Sequence, residues 1–186
     1  MNNSKVKSKI ILRNKNRDEY IEISGNEMVS LRKGDRYEIE ATSDNGYAFN
    51  STTIEVGKGN AEVALKLLKL EKDARLALKD ITFESNAATL SDNSFVELAR
   101  VIELMKENPS LKVQIDAHTD DIGSDRYNLI LSEKRAESVM NYLVSNDIDN
   151  SRFLSKGFGE KQPKVANDSE ENRAANRRVE LRVLGI

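Results

Sequence analysis

The chain has 186 residues, 32% charged and 38% hydrophobic, and its apolar positions recur periodically, so it reads as one or two folded domains and not as a disordered segment. Lys+Arg 29 against Asp+Glu 31 leaves a formal net charge of -2, which removes the bulk attraction that non-specific nucleic-acid binding relies on. With no cysteine in the sequence, disulfides, a thiolate nucleophile, Cys-ligated zinc and a lipidated cysteine within the chain are excluded, while the redox compartment stays open.

The N-terminal MNNSKVKSKIILRNK is basic, but its apolar run Ile10, Ile11 and Leu12 is far shorter than the ~7 to 15 apolar residues of a signal peptide. No stretch approaches the ~20 apolar residues of a membrane helix. A chain cut from a longer protein, or one whose signal had been removed, would read the same way.

Residues 1–72 read as a small, all-β, sandwich-like domain. Its short strands are KIILRN, EYIEI, RYEIEA, STTIEV and EVALKLLKL, separated by turn signals at Asn26, Gly34, Asn45-Gly46 and Gly57-Lys58-Gly59. In RYEIEA, Tyr37, Ile39 and Ala41 share one face while Arg36, Glu38 and Glu40 share the other, which predicts a half-buried antiparallel strand. A core this small is marginal by itself, so a missing upstream strand or the second domain is expected to support it.

Residues 73–186 change texture to alternating strands and helices, the mark of helices packed on a sheet. LALKDITF predicts a first strand, with Leu78 standing apart from an Ile81/Phe83 alternation. SDNSFVELARVIELMKENP predicts a helix with Phe95, Leu98, Ile102 and Met105 at buried spacing and Pro109 as its stop. LKVQIDA alternates Leu111, Val113, Ile115 and Ala117 against Lys112, Gln114 and Asp116, a second strand that delivers His118-Thr119-Asp120 into a loop.

Gly123 and Ser124 then turn the chain into a long helix, about Asp125 to Val144, with Leu129, Ala136, Val139, Met140 and Leu143 as its buried stripe. RFLSKGFG predicts a third strand, DSEENRAAN a short helix capped by Asp168 or Ser169, and RRVELRVL a last strand with Val179, Leu181 and Val183 inward. The whole is α+β, with βαβαβ(α)β order after the β domain.

The stretch HTDDIGSDRYNLILSEKRA, His118 to Ala136, carries the chemistry. Asn128, Ser132 and Arg135 are spaced four and three residues apart on the long helix, so they project from roughly one face. Asp120 precedes that helix, so a carboxylate, an amide, a hydroxyl and a guanidinium are expected to converge on one cleft. Both signs of charge suit a zwitterionic ligand.

His118 with Asp116 or Asp120 could serve as a base and its orienter, yet no nucleophile or oxyanion site stands at a recognisable spacing. The plainer reading of this histidine is a structural one. The acids around it lack the ligand ladder of a calcium loop or a two-histidine zinc motif, so no metal site is expected. SEENRAANRR reads by default as a solvated helix face.

Together, ITFESNAATLSDNS, VQIDAHTDDIGSDRYNLILSEKRAESVMNYLV, RFLSKGFGEKQP and NRAANRRVELRV resemble the OmpA-like peptidoglycan-binding domain, found also in peptidoglycan-associated lipoproteins and flagellar stator proteins. The resemblance runs in order over about residues 74 to 184. It implies non-catalytic binding of the peptidoglycan stem through meso-diaminopimelate, no cofactor, and a periplasmic, outer-membrane-associated parent protein tethered to the cell wall. Carried over by motif, the family's key aspartate falls on Asp120 and its key arginine on Arg135, with supporting contacts at Asn86, Thr119, Asn128 and Arg177. Ala117 departs from the glycine usual before HTD. The same fold can also serve as a protein-docking module of an envelope complex, and a hydrolase using His118 is the remaining alternative. SLRKGDRYEIEATSDNGYAFNSTTIEV resembles the end of a carboxypeptidase-regulatory-like β-sandwich, which implies spacing or protein contact.

Overall fold

The computed structural model describes residues 8–24, 27–43 and 46–186. The turn signals at Asn26 and Asn45 and the first residues of the basic N-terminus lie outside them. The chain forms two compact units, Met1–Leu70 and Glu71–Ile186.

In the first unit, β1 (Lys9–Asn14), β2 (Glu19–Ser24), β3 (Arg36–Thr42) and β5 (Asn50–Glu55) make an antiparallel sheet in the order β2-β1-β3-β5. Register puts Leu12 opposite Ile21 on one side and Ile39 on the other, and Tyr37 opposite Ile54. One face is therefore apolar, and Val29, Leu31 and Leu65 from the connections pack on it. The other face carries pairs such as Lys9 with Glu22 at 3.1 Å and Lys15 with Glu38 at 3.2 Å. Half-exposed pairs of this kind contribute little, so burial of the apolar face dominates.

The expected strand EVALKLLKL is reduced to β6 (Leu68–Lys69), paired with β4 (Tyr47–Ala48). The adjacent Leu67 and Leu68 break the period of two that a half-buried strand requires. Leu65 instead serves as a lid on the four-stranded sheet.

The second unit orders its strands β7-β10-β8-β9: β7 (Arg75–Leu78), β8 (Lys112–His118), β9 (Phe153–Gly159) and β10 (Val179–Gly185). β10 is antiparallel to β7 and β8, while β8 and β9 run parallel. That parallel pair needs a long crossover, supplied by α2 (Asp125–Ser145); α1 (Ser94–Glu107) and α3 (Glu170–Asn176) complete the unit. Val113, Ile115 and Ala117 oppose Val183, Leu181 and Val179 across the ladder, all at most 2% exposed. Among the described residues no helix is long and apolar enough to cross a membrane.

Several expectations are corrected. The first strand ends at Leu78 because Asp80 turns the backbone to φ 60°; Ile81 is still buried, and Phe83 bridges to Leu90. Phe95, expected in the buried stripe of α1, is 36% exposed and stacks on Tyr142 of α2 at 5.0 Å. Leu129 and Met140 are half-buried, since the face that α2 buries runs through Asn128, Ser132, Ala136, Val139 and Leu143. Gln114 and Asp116, expected on the face opposite the apolar residues, are buried as well: Arg75 donates to Asp116 at 2.9 Å, Arg182 to Gln114 at 2.8 Å, and Gln114 to Asp116 at 2.6 Å.

α2 lies close against β9 because two glycines admit it. A Cβ on Gly157 would stand 2.3 Å from the Glu133 backbone nitrogen, and Gly159, at φ 55°, would place one 3.0 Å from that of Leu129. Ser132 completes the seam by accepting the Gly159 N–H at 2.8 Å. Its hydroxyl, expected in the cleft, is spent here.

Arg152, just before β9, donates to the carbonyls of Met105 at 2.8 Å, Asn108 at 2.7 Å and Leu111 at 3.0 Å. These include orphan carbonyls at the end of α1, which no helical N–H can reach. Arg152→Ala should lower stability by roughly 2 kcal/mol. Arg152→Lys should recover only part, because a point-like ammonium lacks the planar fork. Urea unfolding followed by circular dichroism checks both; unchanged midpoints would remove this clamp.

Candidate functional site

All the candidate site residues meet at one end of the second unit's sheet. Ile81 to Asn86 follow β7, Ala117 to Asp120 end β8, Arg177 to Val179 begin β10, and with α2 they line a cleft of about 470 Å³. Asn86, Thr119, Asp120, Asn128, Arg135 and Arg177 are all in its lining.

Asp120 is 7% exposed. Its Oδ1 accepts the Ile122 N–H at 3.1 Å and its Oδ2 accepts from Arg177 at 2.7 Å. A carboxylate offers about four lone-pair directions, so acceptor capacity remains. Arg177 also donates to Glu170 at 2.7 Å, and its pKa is raised further, first by the bond to Asp120.

Arg135 is half-buried and held from one side. Its Nε donates to the Ala87 carbonyl at 3.0 Å, and its Cζ sits 4.8 Å from the centre of the Phe83 ring. Burial lowers its pKa, with Tyr127 and Asp120 opposing that shift; a guanidinium remains charged regardless. Among the described residues no carboxylate lies within ion-pair distance of it, and its terminal nitrogens make no hydrogen bond. Asp120, by contrast, is partnered.

Asn86 stands exposed on the rim at φ 53°. Thr119 is 4% exposed, and its hydroxyl has no partner among the described residues. Asn128 differs from a ligand-facing amide. It is 1% exposed, and its Nδ2 donates to the Asp120 carbonyl at 3.2 Å and to Glu160 at 2.6 Å.

His118 is 2% exposed and stacks on Phe158 at 5.1 Å with 8° between the rings. Neither ring nitrogen has a partner among the described residues. Its pKa is pushed down to about 4, first by burial and then by Arg178. Asp116 and Asp120 are engaged elsewhere, so the dyad considered from sequence does not form.

The profile of the OmpA family matches residues 82–177, just over half of the chain and the segment that builds the cleft. The chain belongs to the OmpA family. It is similar to outer membrane porin F of Pseudomonas aeruginosa, 36% identical over 105 residues that cover 56% of this chain and 30% of the relative. Among the first curated relatives it matches, the chain spans between 30% and 47% of their length. The solved cell wall anchor of the T6SS from Pseudomonas aeruginosa superposes with TM-score 0.52 at 30% identity, over 61% of this chain and 80% of that one. The peptidoglycan-associated lipoprotein from Burkholderia pseudomallei does so with TM-score 0.51 at 26% identity, over 55% and 87%.

Within this OmpA-family fold, two residues escaped the sequence reading. Glu160 holds Asn128 from the end of β9, 32 positions away, and no local pattern announces such a partner. Asn176, in a stretch read as a solvated helix face, is fully buried. It accepts from Lys164 and Val165 N–H at 2.8 and 3.1 Å and donates to Val165 and Asn167 at 2.9 and 2.7 Å. An asparagine between Ala175 and Arg177 in a helical stretch was the available signal, since it is a poor helix former with loop-binding capacity at both ends of its amide.

Proposed function

We propose that the cleft binds the peptide stem of peptidoglycan without catalysis, gripping the side-chain end of meso-diaminopimelate, and so tethers an outer-membrane-associated protein to the cell wall from the periplasm. The observation that carries this reading is Arg135: a half-buried guanidinium, oriented by Phe83 and the Ala87 carbonyl, with no carboxylate partner among the described residues and with Asp120 in the same cleft. That end of diaminopimelate bears an ammonium and a carboxylate. Asp120 would accept from the former, sharing its oxygens with Arg177, and Arg135 would take the latter in a planar fork. Asn86 and Thr119 supply a rim amide and a free hydroxyl. The first unit would serve as a spacer or a protein contact.

Lysine in place of diaminopimelate keeps the ammonium and lacks the carboxylate, leaving Arg135 desolvated and unpaired at a cost of about 1 to 3 kcal/mol. One stem is held weakly, because a few charge-assisted bonds must first offset the cost of association. A wall presenting many stems to an anchored protein compensates through effective concentration.

Co-sedimentation with diaminopimelate-type sacculi tests this reading. Asp120→Ala and Arg135→Ala, each checked for folding, should lose at least about tenfold in retention, and the wild type should release no soluble muropeptides. Equal retention of all three proteins would sink the assignment.

A further inference from the structure

Glu160 does not line the cleft, yet it governs a residue that does. The Asn128 amide carries two hydrogens on Nδ2, and both are used internally, toward Glu160 at 2.6 Å and the Asp120 carbonyl at 3.2 Å. The first is short, as a bond to an ionised acceptor is. It also settles the orientation of the amide: turned over, the side chain would set its oxygen against the Asp120 carbonyl.

The loop that Asn128 holds is tightly folded. Asp120 Oδ1 accepts from its own loop at Ile122, and a Cβ on Gly123 would lie 3.3 Å from Asn128 Oδ1. Glu160 itself is delivered from a fixed point, because Thr119 N–H donates to the carbonyl of the adjacent Gly159 at 3.0 Å. The ends of β8 and β9 thus confine the loop from both sides.

We propose that Glu160 is a positioning residue of the cleft: by accepting from Asn128 it orients the amide that holds the Asp120 backbone, and so sets where the Asp120 carboxylate stands. This rests on the reading of Asp120 as the acceptor for a ligand's ammonium.

The test uses the full chain and two synthetic stem tripeptides, one ending in meso-diaminopimelate and one in lysine, with binding followed by isothermal titration. Glu160→Ala should weaken both probes by about tenfold, because the ammonium arm is common to them, and the ratio between them should be unchanged. Arg135→Ala should collapse that ratio. Glu160→Gln keeps an acceptor oxygen and should recover most of the affinity. Glu160→Ala combined with Asn128→Ala should bind like Asn128→Ala alone, as expected of a residue acting through another. Wild-type affinity in Glu160→Ala, no rescue by Glu160→Gln, or an additive double variant would each overturn the proposal. Should the alanine variant unfold, Glu160→Leu and the Ile122 amide resonance of the folded protein decide it: a displaced resonance with lowered affinity for both probes in Glu160→Leu, both restored in Glu160→Gln, supports the role, and wild-type values for Glu160→Leu refute it. Failure of the wild type to bind either tripeptide would instead remove the reading of the cleft.

Discussion

Gly157→Ala should destabilise the second unit by roughly 3 kcal/mol, and a larger residue there should prevent its folding. The added Cβ would meet the Glu133 nitrogen at 2.3 Å, the Ser132 hydroxyl at 2.5 Å and the Glu133 Cα at 2.8 Å. Two of those atoms belong to helix backbone, which cannot rotate away as a flexible side chain would. α2 must then lift from β9, and Ser132 loses its 2.8 Å bond from Gly159. Asn128 and Arg135 flank Ser132 on that helix, so the acid and basic arms of the cleft shift together. Gly185→Ala is the control: nothing lies within 4 Å of its Cβ position, and the change should stay within about 0.5 kcal/mol. Guanidinium titrations of the three proteins measure the difference, and coincident midpoints would show that the helix yields freely.

Acid should weaken the fold through His118 well before most carboxylates titrate. Its folded pKa is held down to about 4 against an ordinary 6.5, so between those values the unfolded chain takes up a proton that the folded one refuses. The stability contributed by the neutral ring is therefore complete above pH 6.5 and is lost as pH falls through 6.5 to about 4. The gap corresponds to roughly 3 kcal/mol. Burial is the first cause; Arg178 opposes a positive charge on the ring next, with Glu180 and Asp116 acting the other way and Arg75 adding a smaller push in the same direction as Arg178. His118→Phe keeps a ring against Phe158 and removes the titration. Urea midpoints at pH 7, 6, 5 and 4 should fall more steeply in the wild type, and parallel curves for the two proteins would dismiss the effect.

Much of this architecture is legible in single side chains. β10 alternates Val179, Leu181 and Val183 strictly inward, and α2 begins where Gly123 and the N-cap Ser124 require, at Asp125. Local signals are silent where the deciding partner is distant. Gln114 and Asp116 fall on the face opposite the apolar residues, and Arg75 and Arg182, far away in sequence, cover them. β7 stops early because Asp80 turns the chain, although the apolar alternation continues past it.

The candidate site shows the same division. Helical spacing brought Asn128 and Arg135 to one cleft with Asp120 just ahead of the helix, and motif resemblance added Asn86, Thr119 and Arg177. The spacing could not tell that Ser132 would be spent on Gly159, or that Asn128 would turn inward to Glu160. Such choices are made by neighbouring strands.

The strand directions have a mechanical meaning. β7 and β8 run the same way, each antiparallel to β10 between them, and the cleft lies beyond their C-terminal ends. The chain enters this unit at the other end of β7 and leaves it at the other end of β10. A tension applied between a ligand in the cleft and the polypeptide at Glu71 therefore runs along the strands. It shears the β7–β10 and β10–β8 ladders, loading their hydrogen bonds together, where a pull across the strands would peel them one at a time. In the tethering role proposed above, the sheet would bear load along its strongest axis.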